Sequence, residues 1–112
     1  MGMNTQHLNN MPQDWKAIAE IFSALGDETR QKILLMFEPG EEVGRKAISE
    51  LLPLSQTAVA HHVTTLVRAG LLLHEKRGKE VYYTLNLEVL LGALDRVRNY
   101  VLELRVEPEQ ES

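Results

Sequence analysis

Two adjacent histidines, His61 and His62, stand in the middle of a helix-like stretch, AVAHHVTTLVRAGLL, from Ala58 to Leu72. The chain has four histidines and no cysteine in 112 residues, so half of its imidazole sits in this pair. Imidazole can ligate a metal, act as a general base or donate a hydrogen bond to a third party. Spacing decides among these. Helical side chains converge on a metal at i,i+3 or i,i+4. Neighbours diverge by about 100°, and no carboxylate lies three or four residues from either ring. A general base needs a nucleophile and an orienting partner, whereas only threonines, alanines and aliphatic residues surround the pair. With no phosphate-cradling glycine loop and no nucleophile elbow, the sequence reads as non-enzymatic, without cofactor or metal site.

The elements around the pair give it a different use. Pro53 breaks the preceding helix, because the residue before proline is pushed out of the α region. Ser55 is a good N-cap, Leu54 can staple onto Val59, and Gly70 can close the helix as a left-handed cap, which predicts a helix from Gln56 to Ala69. Val59, Val63, Leu66 and Val67 fall on one stripe of it, facing the core. His62 flanks that stripe, about 80° from its centre, and is expected to be half-buried and structural. His61 points away, on the side of Thr57, Thr64 and Arg68.

Upstream, Asp14 is read as the cap of a helix from Trp15 to Leu25, and Asp27 as the cap of one running to about Phe37. A third, from Arg45 to Leu52, should turn Ile48, Leu51 and Leu52 inward. The acidic EPGEEVG between the second and third reads as a loop. Downstream, LLLHEKRGKEVYYTL predicts a hairpin turning at Arg77-Gly78-Lys79, followed by a helix from Leu87 to Arg105 capped by Asn86. The order α-α-α-α-β-β-α is a mainly α winged helix-turn-helix. Residues 1–12 read as a disordered arm and 13–106 as one domain, with the helix-turn-helix at 45–69, the wing at 71–85 and the last helix at 87–105; 107–112 form an acidic tail.

Such a helix enters the major groove and presents its N-terminal side chains to base edges. Gln56 can pair with adenine, Thr57 with a base edge or phosphate, and Ala60 can meet a thymine methyl. His61, one turn on, can donate to guanine or phosphate. The expected DNA-contacting set is Ser55, Gln56, Thr57, Ala60, His61, Thr64 and Arg68, with Arg77 and Lys79 from the wing. The formal charge of −4 is acidic overall. Residues 44–85, however, hold six basic side chains (Arg45, Lys46, Arg68, Lys76, Arg77, Lys79) against three acids (Glu50, Glu75, Glu80). That polarity would orient the chain on an anionic partner. Without an apolar run near ~20 residues no membrane span is expected, and without a visible secretory signal the expected location is cytoplasmic.

LSQTAVAHHVTTLVRAGLL resembles the recognition-helix signature of the ArsR/SmtB-type bacterial transcriptional repressors. Ala60 stands where that family usually has serine, and Val63 where leucine is common. IFSALGDETRQKILLMF and KRGKEVYYTLN are similar to the family's second-helix and wing segments, so the likeness runs from about Trp15 to Tyr100. It implies a homodimer on a roughly palindromic operator in double-stranded DNA, released by an effector. The last helix supports a dimer independently, being more apolar than one small domain can cover. Ile18, Phe22, Leu91, Leu94, Val97 and Val101 are the expected interface. Metal and thiol sensing do not carry over: cysteine is absent, Val97 occupies the place a ligand histidine needs after Asp95, and no later histidine exists. The effector is then a small molecule, another protein, or nothing at all. The competing reading is a winged-helix module that binds protein and not DNA, and Glu75 and Glu80 beside the wing turn weigh on that side.

Overall fold

The computed structural model describes residues 2–105. The elements follow in the order α1 (Gln13–Leu25), α2 (Glu28–Leu35), β1 (Val43–Gly44), α3 (Arg45–Leu51), α4 (Gln56–Arg68), β2 (Leu72–Arg77), β3 (Glu80–Leu85) and α5 (Leu87–Leu104). The winged helix-turn-helix expected from the sequence is present, with one strand more. Val43–Gly44, read as loop, pairs antiparallel with Tyr83 and Tyr82, giving a sheet of order β1-β3-β2. Two residues are too few to show a period of two in sequence; the open edge of β3 recruits them, and Val43 packs on the core.

The core is aliphatic. Ile18, Ile21 and Ala24 of α1, Ile33 of α2, Ile48 of α3 and Val59, Val63 and Leu66 of α4 are all buried, with Leu72 and Tyr83 covering them from the sheet. Residues 2–12 form neither helix nor strand, and apart from Pro12 they are exposed. The acidic tail falls outside the described residues.

Four local readings need correction. Helix α1 begins at Gln13 with Pro12 at its N-cap, since proline has no N–H to leave unpaired at a helix start. Asp14 lies inside the first turn, where it accepts from Trp15 N at 2.9 Å and pairs with Arg96 of α5 at 2.8 Å. Helix α2 stops at Leu35, and Met36 and Phe37 tighten into i→i+3 bonds to Ile33 and Leu34. Leu51 is 69% exposed rather than inward, because α3 ends there and the extended Leu52 packs on the core in its place. Asn86 does not take its expected role: its backbone N–H reaches Leu71 O while its side chain caps nothing.

The end of α4 is as the sequence predicts. Gly70 has φ +82°, Leu71 N bonds Leu66 O at 3.0 Å and Gly70 N bonds Val67 O at 2.9 Å, the paired bonds of a Schellman closure. A Cβ at Gly70 would meet only Val89 methyls at ordinary contact distance. Gly70→Ala should therefore cost the backbone strain alone, about 1–2 kcal/mol. Thermal unfolding would register this as a drop of several degrees. An unchanged melting temperature would mean that α4 closes differently.

Candidate nucleic-acid interface

Helix α4 is the element that could enter a groove, and its phase is set by the buried stripe. With Val59, Val63 and Leu66 inward, Thr57, His61, Thr64 and Arg68 are exposed within one arc of about 60°. Ser55 caps the helix, its Oγ accepting from Ala58 N at 3.1 Å, which leaves the hydroxyl proton to donate outward. Thr65 donates to His61 O at 3.0 Å, so its hydroxyl is turned onto its own helix.

Gln56, Thr57 and Ala60 line an open groove together with Arg45 and Lys46 of α3 and Lys79 of the wing turn. Glu50 and Glu80 line it as well, so the groove is mildly basic. Sequence reasoning counted Arg45 and Lys46 as charge but did not place them at the site; their position at the start of α3, one helix before the recognition helix, was the available signal. Arg45 is not free to swing. Its Nε donates to the buried Tyr83 hydroxyl at 2.9 Å, fastening α3 to β3.

The two wing residues expected to act alike do not. Arg77 pairs with Glu42, just before β1, and with Glu75 at 3.1 Å, and it lies over the Tyr82 ring at 4.6 Å. The hydrogen bond to Glu42, then that to Glu75, raises its already high pKa further. Glu75 in turn is held below the usual carboxylate range by Arg77. Arg77 therefore ties the wing to β1, and would have to exchange two carboxylates for a phosphate. Lys79 forms no ion pair among the described residues and faces the groove. The sequence concealed this difference because Glu42 is remote in the chain.

His61 and His62 part company as expected. His61 is exposed and His62 half-buried, with Nδ1 of His62 at 3.2 Å from an Arg30 guanidinium nitrogen.

The candidate dimer face is on α5 and the adjoining side of α1. Leu91, Leu94 and Val101 of α5 are about half exposed, Phe22 is 39% exposed and Val97 half-buried. Ile18, expected with them, is 5% exposed and belongs to the protomer's own core, because α1 turns that side toward the domain interior. Beside this face Trp15 packs edge-on against Tyr100 at 5.1 Å, and Arg96 lies over the Trp15 ring. The Arg96 bond holds the Asp14 carboxyl below its usual range. No group of three or more potential ligand side chains gathers among the described residues, and none of their helices is long and apolar enough to cross a membrane.

A helix-turn-helix domain family model matches residues 25–75, which contain α2 to α4 and the start of the wing. Transcriptional repressor SdpR of Bacillus subtilis is 30% identical over 81 residues, covering 72% of this chain and 89% of that protein. An ArsR-like transcriptional regulator from Rhodococcus sp. RHA1 superposes with a TM-score of 0.70 at 28% identity, over 80% of this chain and 83% of the other. The homodimeric winged helix-turn-helix DNA-binding domain Mb0332 of Mycobacterium bovis has the same fold, with a TM-score of 0.62 over 96% and 94% of the two chains at 18% identity.

Proposed function

The chain belongs to the ArsR family of DNA-binding winged helix-turn-helix transcriptional regulators, and from that premise we propose that it is a homodimeric repressor without catalytic activity. Each protomer lays α4 in the major groove of one half-site, and the two half-sites lie about one helical turn, ~34–36 Å, apart. The observation that carries this is the polar outer stripe of α4, Thr57, His61, Thr64 and Arg68, standing clear of the core. Gln56 and Ala60 reach the neighbouring bases from the groove flank, while Ser55, Lys79 and Lys46 hold phosphates. Phe22, Leu91, Leu94, Val97 and Val101 pair with their copies in the partner. The protein works in the cytoplasm.

A salt titration on genomic fragments tests the reading. Each phosphate neutralised should add about −0.9 to the slope of log K against log salt, so a dimer of this kind should lose affinity steeply between low and moderate salt. The acidic side chains beside the wing, Glu42, Glu75 and Glu80, favour a protein partner in place of DNA. If no fragment is selected even at low salt, that second reading takes over.

If a release signal exists, it is neither a metal nor a thiol reagent. Without cysteine, and with Val97 where a ligand would be needed, Zn²⁺, Ni²⁺, As(III) and thiol oxidants should leave operator affinity within a few-fold. A tenfold loss, about 1.4 kcal/mol, that a chelator reverses would overturn this.

A further inference from the structure

Arg30 of α2 is the side chain through which three helices meet. It is 14% exposed. Its Nε donates to Ala24 O at 2.7 Å and a terminal nitrogen donates to Ser23 O at 3.2 Å, both near the end of α1. The other terminal nitrogen lies 3.2 Å from His62 Nδ1 on α4 and 3.9 Å from the Asp27 carboxylate that caps α2. A guanidinium has five donors and no acceptor. In a hydrogen bond across this contact His62 Nδ1 is therefore the acceptor.

The apolar stripe fixes how deep α4 sits, but apolar contact is non-directional. The bond from Arg30 is directional, and it meets α4 on a flank about 100° from His61. We propose that the Arg30–His62 contact is a latch that pins α4 against residual roll within the phase its apolar stripe sets, that it holds only while His62 Nδ1 is unprotonated, and that operator affinity therefore falls in acid. The affinity clause rests on the DNA-binding reading above; the latch itself does not.

The charges around the ring are these. Arg30 and Asp27 face it from α2, and His61 stands beside it on α4, ring centroids 5.9 Å apart. The α1 carbonyls face Arg30 and keep the guanidinium in place. A proton on Nδ1 would remove the acceptor and set N–H against N–H. The Asp27 carboxylate accepts from Arg30 N at 3.1 Å and lies beside the same guanidinium, so its nearest partner is Arg30 and not the ring.

The test compares the wild type with His62→Asn, His62→Ala and His61→Asn at constant salt, at about pH 8 and about pH 5.5, either side of the ordinary histidine range. The probe is a fluorescent duplex selected by the wild-type chain from a random-sequence library at the higher pH. Asparagine places Oδ1 where Nδ1 was, and it does not titrate. The wild type and His61→Asn should lose about fivefold or more in affinity on acidification. His62→Asn should hold its affinity at both pH values, and His62→Ala should be weak at both. Equal acid loss in His62→Asn and wild type, or no loss in the wild type, would overturn the latch. Nitrogen-15 NMR of the His62 ring without DNA separates the two layers. Nδ1 should be unprotonated and Nε2 protonated at the higher pH, and Arg30→Ala should mix the tautomers. A protonated Nδ1 there would refute the latch. A library that yields no duplex would refute DNA binding and the affinity clause with it.

Discussion

Leu94→Arg should convert the protein to a monomer that barely binds its operator. Leu94 is 47% exposed on the outer face of α5, between Leu91 and Val101 at helical spacing. A guanidinium there would be buried against apolar side chains of the partner with nothing to pair it, and such a charge is strongly destabilising. Because Leu94 is not among the side chains packed on the protomer's core, the variant should still fold. The DNA effect follows from the loss of pairing. Two linked half-sites bind with an effective local concentration that a lone monomer does not have, so operator affinity should fall by about a hundredfold or more. Sedimentation should show a dimer for wild type at micromolar concentration and a monomer for the variant. An unchanged dimer, or a wild-type monomer, would place the interface elsewhere.

Alanine at His61 and at His62 should fail in different ways. His61 is solvated, and such side chains contribute within about ±0.5 kcal/mol to stability, so His61→Ala should melt as the wild type does. It should weaken operator binding by about 1–3 kcal/mol and relax the preference at one base position per half-site. Gln56→Ala and Thr57→Ala should behave similarly. His62→Ala should instead lower the melting temperature, because Arg30 loses a partner and the flank of α4 loses packing. Its affinity should drop without a change in the sequence selected, since the ring lies against Arg30 and off the outward stripe. Selection from a random library, run beside thermal unfolding, reads both quantities. If His61→Ala bound normally while His62→Ala abolished binding at full stability, the recognition face would be turned by about one residue.

The phase of α4 was legible because it depends on a local rule. Val59, Val63 and Leu66 repeat at helical spacing, and Ser55 and Gly70 bracket the run with a cap at each end. From these alone His61 faces solvent and His62 the domain, as found. Leu51 was misread for a related reason: the period places it inward, but a seven-residue helix ends there and the chain turns. Periodicity gives the direction of a side chain and not the point at which the neighbouring elements stop covering it.

What the sequence determined by itself is therefore whatever a helix or hairpin settles within its own turns: the winged helix-turn-helix order, the start and stop of α4, and the outward stripe from Thr57 to Arg68. The tertiary structure decided every matter that joins residues far apart in the chain. It brought Glu42 to Arg77 and so separated that arginine from Lys79, its near neighbour in the wing. It set Arg30 against His62, 32 positions away, and Asp14 against Arg96, 82 away. It added β1 to the edge of β3 and drew Ile18 into the core and away from the dimer face. Charge partners of this kind leave no periodic trace, because a carboxylate and a guanidinium need only to meet within a few ångströms. The fold, and not their spacing in sequence, supplies that distance.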